Sequence, residues 1–310
     1  MNHFLIGISW AVCGILLCPG PGTAADKFTV FVTIAPQKYF VEQIGKNRVE
    51  VHVMVPPGAD PHTYEPKPRQ MMALSRAKLY FAIGIEFEKA KLERILSAHP
   101  NLNVIHTDHG IAKKPMTVTS AHVHEADDSH SKEDHHAEGE KGKDLHGHDG
   151  LDPHLWLSPP LVKIQARTIL NALQEIDPVH RSVYEANFRK FASEIDVLDA
   201  DLQKMFAGKQ ELHFLVFHPS WGYFAEAYGL QQVSVEIEGK EPKPARLKAL
   251  IEHAKRKNIK VIFTQPQFST KSASLLAEAI QGRVVIADPL AEDWPTNLRH
   301  VAEQFEAALR

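Results

Sequence analysis

The chain reads as an α/β protein of two lobes, each with a parallel sheet, joined by a long rigid helix. Three observations lead there. Short β-branched runs alternate with amphipathic helical stretches from residue 28 onward. That alternation occurs in two series of about four units each. Between the series lies one unbroken helical pattern of nearly thirty residues. Strand–helix alternation of this kind specifies parallel sheets covered by helices on both faces.

In the first series, Phe28–Ile34 is β-rich and ends before Pro36, and Gln37–Ile44 is a short amphipathic helix. Val49, Val51, Val53 and Val55 alternate as in a half-buried strand. Pro68–Ala77 reads as helix, Lys78–Ile83 as a strand stopped by Gly84, Phe87–Ala98 as helix and Asn103–Thr107 as strand. The second series repeats the rhythm. Its strands are His213–Phe217, Gln232–Ile237, Lys260–Thr264 and Arg283–Ala287. Its helices are Trp221–Tyr228, Ala245–Lys257, Ser272–Ile280 and Leu298–Leu309.

Two helices connect the series. Ser158 can cap the first, with Pro159 in its first turn. The second runs from Val179 to Ala207, with Tyr184, Phe188, Phe191, Ile195, Leu198, Leu202 and Met205 along one stripe. That stripe is a core seam, and at 1.5 Å per residue the helix is about 43 Å long. The domain reading is therefore a leader at 1–25, an N-terminal lobe at 26–157, connecting helices at 158–208 and a C-terminal lobe at 209–310.

The leader follows from Phe4–Leu17, an apolar run too short for a membrane span of roughly 20 residues and of the length of a secretory core. Helix breakers Pro19–Gly22 and the small residues Thr23, Ala24 and Ala25 follow, which predicts export and cleavage after Ala24 or Ala25. The segment before the core has no Lys or Arg. Lipidation at Cys18 is disfavoured by bulky Leu17 before it. Both cysteines, Cys13 and Cys18, lie in the leader, so the mature chain has neither disulfides nor thiolate ligands. The net charge of −3 and the lack of a basic stripe argue against nucleic acid.

The chain has 19 histidines. Seven of them (His122, His124, His130, His135, His136, His146 and His148) fall in the acidic, apolar-poor tract 121–149. Such a tract cannot bury enough surface to fold alone, but it can gather borderline metal ions. A second, quieter set sits where open α/β sheets bind ligands, beyond the carboxyl ends of strands. His62 lies in the Pro-rich loop after the Val49–Val55 strand, His218 directly follows Phe217, and Asp288 directly follows Ala287. His154 lies in the turn Asp152-Pro153-His154 before the first connecting helix. Three imidazoles and a carboxylate suit tetrahedral Zn²⁺. Singly, each has an ordinary alternative: a turn or surface histidine, an Asp-Pro turn at Asp288, and turn caps at Asp60 and Asp152.

Several ordered segments carry a family likeness. They are Pro57-Gly58-Ala59-Asp60-Pro61-His62-Thr63-Tyr64-Glu65-Pro66, Asp152–Trp156, Phe217-His218-Pro219-Ser220-Trp221-Gly222-Tyr223-Phe224, Glu238–Pro242 and Ala287–Leu290. The set resembles the metal-binding cluster A-I solute-binding proteins of ABC importers, above all the zinc-specific, ZnuA-type branch. The likeness spans about residues 28–310 in matching order. It implies two (β/α)₄ lobes with metal in the cleft between them, held by His62, His154, His218 and Asp288. Asp288 is the ligand least specified by the likeness, with Asp60, Glu65 or water as the alternatives.

A third imidazole at His218, where manganese-binding relatives carry Glu, implies zinc rather than Mn²⁺. The implied partner is a membrane-embedded ABC permease with its cytoplasmic ATPase, served from the periplasm by a monomer that breaks no bond. The His tract then reads as an accessory that holds zinc weakly, with affinity falling as pH drops through about 6.5. Rival readings are a Mn²⁺ binder or a surface adhesin of the same fold, and an exported zinc hydrolase using Glu65 or Glu236 as base. No H-E-x-x-H motif supports the last.

Overall fold

The computed structural model describes residues 27–61, 63–116, 150–236 and 242–309. The predicted leader, the His tract and His62 therefore lie outside the described residues. Among the described residues there are eight strands in two four-stranded parallel sheets. The first sheet holds β1 (Phe28–Val32), β2 (Val49–Val53), β3 (Leu79–Ala82) and β4 (Asn103–His106) in the order β2-β1-β3-β4. The second holds β5 (His213–Val216), β6 (Gln231–Ser234), β7 (Val261–Thr264) and β8 (Arg283–Ile286) in the order β6-β5-β7-β8. The two halves thus share one topology. In each, the strand order reverses beside the first strand of the half, which opens a crevice at the carboxyl ends.

The helices are α1 (Ala35–Gly45), α2 (Pro68–Leu74), α3 (Glu86–Ala98), α4 (Pro159–Ile176), α5 (Arg181–Phe206), α6 (Gly222–Ala227), α7 (Pro244–Arg256), α8 (Lys271–Ala279) and α9 (Trp294–Ala308). Several ends differ from the sequence reading, for local reasons. β1 stops at Val32 because the Thr33 amide turns to the Gln37 side chain at 3.0 Å. Ser158 stands at the cap of α4, but its hydroxyl makes no cap bond. Pro160 removes one amide such a hydroxyl would accept from, and the Leu161 amide bonds the Ser158 carbonyl instead, at 3.0 Å.

The long helix starts at Arg181, two residues later than the pattern suggests. Asp177 accepts from the Tyr184 hydroxyl at 2.6 Å and pairs with His180 at 2.8 Å, which winds Pro178–His180 into a 3₁₀ turn. The helix spans 26 residues, about 39 Å. Its seam closes with buried Phe206, while Met205 is only half-buried. α9 starts at Trp294, earlier than expected, with Pro295 in its first turn.

One apolar core runs from the first sheet through α4 and α5 to one face of the second sheet and α9. A smaller core fills the space beneath α7 and α8. Trp294 stands edge-on to Phe40 of α1, ring centroids 5.1 Å apart, and its indole N–H donates to the Trp156 carbonyl at 2.7 Å. The Trp156 indole in turn donates to the Pro289 carbonyl at 2.7 Å. These bonds tie the entry to α4, the loop after β8 and α9 into one support.

Candidate metal centre

His154 and His218 meet. Their ring centroids lie 5.3 Å apart with planes at 70°. Each residue is 6% exposed. His154 stands at the start of a 3₁₀ turn, Leu155–Leu157, that leads into α4. Asp152 sets it there: its Oδ1 accepts from the His154 amide at 2.9 Å and bonds Nδ1 of the ring at 2.7 Å. His218 lies two residues past β5. Its Nδ1 is bonded to Glu236 Oε1 at 2.5 Å, and its ring stacks on Phe268 at 5.2 Å.

A carboxylate on Nδ1 fixes the tautomer with the proton on that nitrogen and raises the basicity of Nε2. With Nδ1 engaged in this way, Nε2 is the nitrogen of each ring suited to a cation, and both rings are buried. Two buried, carboxylate-backed imidazoles fit a zinc ion, which takes neutral imidazole nitrogen at about 2.0–2.1 Å.

Asp288 is half-buried just beyond β8. Its Oδ1 accepts from the Leu290 amide at 2.9 Å and from Gln267 at 3.4 Å. The loop after β7 that carries Gln267 also supplies Phe268 to His218, and Gln265 of the same loop donates to the His218 carbonyl at 3.0 Å. One loop thus braces both Asp288 and His218. Among the described residues no three His, Asp or Glu form a metal-holding group. The fourth predicted residue, His62, lies outside them.

Its loop is tethered on both flanks. The Thr63 hydroxyl donates to Asp60 at 3.2 Å, and the Tyr64 hydroxyl donates to Gln70, which holds the Met54 carbonyl at 2.7 Å. Glu65, an alternative ligand, is paired with Lys91 on the exposed surface.

Two residues that hold the rings were hidden from sequence reasoning in that role. Asp152 was visible as a turn cap but not as a ring partner. Glu236 entered only as a base for a hydrolase, whereas it is engaged by His218. It follows β6 just as Asp288 follows β8, and that position was the available signal. The seven tract histidines lie outside the described residues. Beside that tract, residues 114–116 and 150–152 form a neck: Pro115 and Leu151 make an antiparallel bridge, and the Asp152 amide donates to the Lys114 carbonyl at 2.7 Å.

Residues 30–308 match the model of the family ZnuA, described as "Zinc-uptake complex component A periplasmic". The chain belongs to the ZnuA family. It is similar to a putative metal-binding protein of Treponema pallidum, with 30% identity over 87% of this chain and 81% of that one. It is 28% identical to the high-affinity zinc uptake system protein ZnuA of Bacillus subtilis over 90% of this chain and 84% of that one. A crystal structure of ZnuA superposes with a TM-score of 0.80 at 40% identity, covering 92% of this chain and all of the other. A zinc-bound ZnuA lacking its residues 138–173 superposes with a TM-score of 0.78 at 41% identity, over 91% and 98%. The family's two-sheet fold with a long connecting helix is the one described above.

Proposed function

We propose that this chain captures Zn²⁺ outside the cytoplasmic membrane and delivers it to an ABC permease driven by a cytoplasmic ATPase. The observation that carries this reading is the buried His154–His218 pair with a carboxylate behind each ring. Membership of the ZnuA family and its similarity to high-affinity zinc uptake proteins support it. His62 and Asp288 complete the proposed set, which gives three nitrogen donors and one oxygen. That donor set suits borderline zinc better than oxygen-preferring Mn²⁺.

The chain works as a binding component rather than an enzyme. Of the two bases a hydrolase could use, Glu236 is engaged by His218 and Glu65 is paired with Lys91 on the exposed surface. Zinc is cargo: it arrives as a hydrated ion, exchanges water for imidazole, and leaves when the permease distorts the site. The leader 1–25 would direct export and be cleaved, leaving a monomer of two lobes, 26–157 and 209–310, around the connector 158–208. The seven tract histidines would hold further zinc weakly and feed the cleft.

X-ray absorption at the zinc edge, on protein loaded with one equivalent, tests the donor set. We expect four light donors near 2.0–2.1 Å with imidazole scattering from about three of them. A six-oxygen shell would overturn the proposal.

A further inference from the structure

His154 and His218 come from opposite sides of the connector, yet a short circuit of bonds joins them. From His218 the chain runs through Pro219, Ser220 and Trp221 into α6, where Tyr223 is the second residue. The Tyr223 hydroxyl donates to the Asp152 carbonyl at 3.0 Å and accepts from the Lys114 amide at 3.0 Å. Asp152 then holds both the amide and the ring of His154. Burial pushes the Tyr223 phenol up to about 12, so it stays a proton donor throughout the neutral range.

Other contacts press Asp152 to the same place. A Cβ at Gly222 would lie 2.9 Å from Asp152 Oδ2, so only glycine admits the carboxylate so close. Lys114, across the neck from Asp152, forms an ion pair with Glu226 of α6. The 3₁₀ turn after His154 packs on α4 and α6.

We infer that Tyr223 is a positioning residue for the metal centre: through Asp152 it sets the spacing between His154 and His218. α6 carries one imidazole at its entrance and the clasp for the other on its first turn. The same bond holds the neck of the His-rich tract, so the base of that tract and the ligand His154 are held by one hydroxyl. This inference rests on His154 and His218 being ligands.

The test uses the full mature chain. Tyr223→Phe removes the donor while keeping the ring. Zinc affinity is measured by chelator competition, alongside the visible spectrum of the Co²⁺-loaded protein and thermal unfolding of the metal-free protein. We expect affinity to fall about tenfold, the low end of what losing a group behind a ligating histidine costs, and the Co²⁺ bands to shift. In a His154→Ala background the same substitution should cost nothing further, while in an Asp288→Asn background it should cost the full tenfold. Gly222→Ala, which leaves the hydroxyl in place but displaces the Asp152 carboxylate, should show the same dependence on His154.

Unchanged affinity and spectrum in both variants, or an equal loss in both backgrounds, would overturn the role of Tyr223. If His154→Ala and His218→Ala themselves leave zinc affinity intact, the ligand reading falls instead, and the inference falls with it.

Discussion

The two sheets share a strand order but not a chemistry at their carboxyl ends. The register makes the comparison residue by residue. In the first half the amides of Met54 and Val55 bond the carbonyls of Val32 and Thr33, and in the second those of Val235 and Glu236 bond Val216 and Phe217. Ile34 therefore corresponds to His218, and Val55 to Glu236. The amides of Thr107 and Ala287 bond Ala82 and Thr264 in the same way, so Asp108 corresponds to Asp288.

Where the second half places an imidazole and its carboxylate, the first places two buried aliphatic side chains. Where the second offers Asp288, the first pairs its aspartate with Lys113 at 2.5 Å. The polar groups of the first half bond one another instead. Glu88, 4% exposed, accepts from the amides of Ile83 at 2.9 Å and Gly84 at 2.5 Å and from the Thr33 hydroxyl, which also meets the Tyr80 hydroxyl. One topology thus makes two crevices. The residues at each strand end decide which is sealed by its own hydrogen bonds and which supplies His218 and Asp288 to the proposed metal centre.

The largest break in this comparison should come from His218→Ala, which gives the second half the apolar character of the first. If four ligands share the roughly 10–16 kcal/mol of a structural zinc site, losing one should weaken binding on the order of 10²–10³-fold. Isothermal titration with a competing chelator reads this, and a loss under tenfold would mean His218 is not a ligand. Next come the carboxylates behind the rings. Glu236→Gln and Asp152→Asn should each weaken zinc by about 10–100-fold with little change in metal-free stability.

Glu88→Ala should do the reverse. It strands the buried Ile83 amide and the half-buried Gly84 amide and should lower unfolding stability by about 2 kcal/mol in urea, with zinc affinity nearly unchanged. A comparable loss of zinc binding would erase the distinction between the halves.

The smallest effect concerns pH. Burial raises the Glu88 carboxyl above its ordinary value. The stabilisation that goes with the protonated form is therefore complete below the unfolded-state pKa, and it fades as pH rises through the higher folded value. Metal-free protein should lose a little stability across that window, and Glu88→Gln should flatten the loss. Thermal unfolding at a series of pH values checks both.

All eight strands and the connecting helices were legible in the sequence, because β-branched runs, glycine stops and the seam from Tyr184 to Leu202 are local signals. The ends moved where a side chain competed with the backbone, as Gln37 does at Thr33 and Asp177 does at Tyr184. His154 and His218 could be named from their places at a turn and a strand end. Their meeting was implied by the family likeness but not by spacing alone, because it depends on how the halves pack through Trp156 and Trp294. The Glu236 partnership was hidden for a related reason. Those residues are 18 apart in sequence, and only the pairing of β5 with β6 brings them together. Asp152 is two residues from His154, but that spacing alone does not tell a backbone cap from a ring partner.

The central claim is that the tight zinc site is the imidazole pair in the cleft and not the conspicuous His tract. Zinc titration of the mature chain, a chain lacking residues 121–149, and a His62→Ala, His218→Ala chain tests it directly. The account predicts that the deletion keeps one tight zinc and loses the weaker ones, and that the double substitution loses the tight one. Loss of tight binding on deleting 121–149 alone would contradict it.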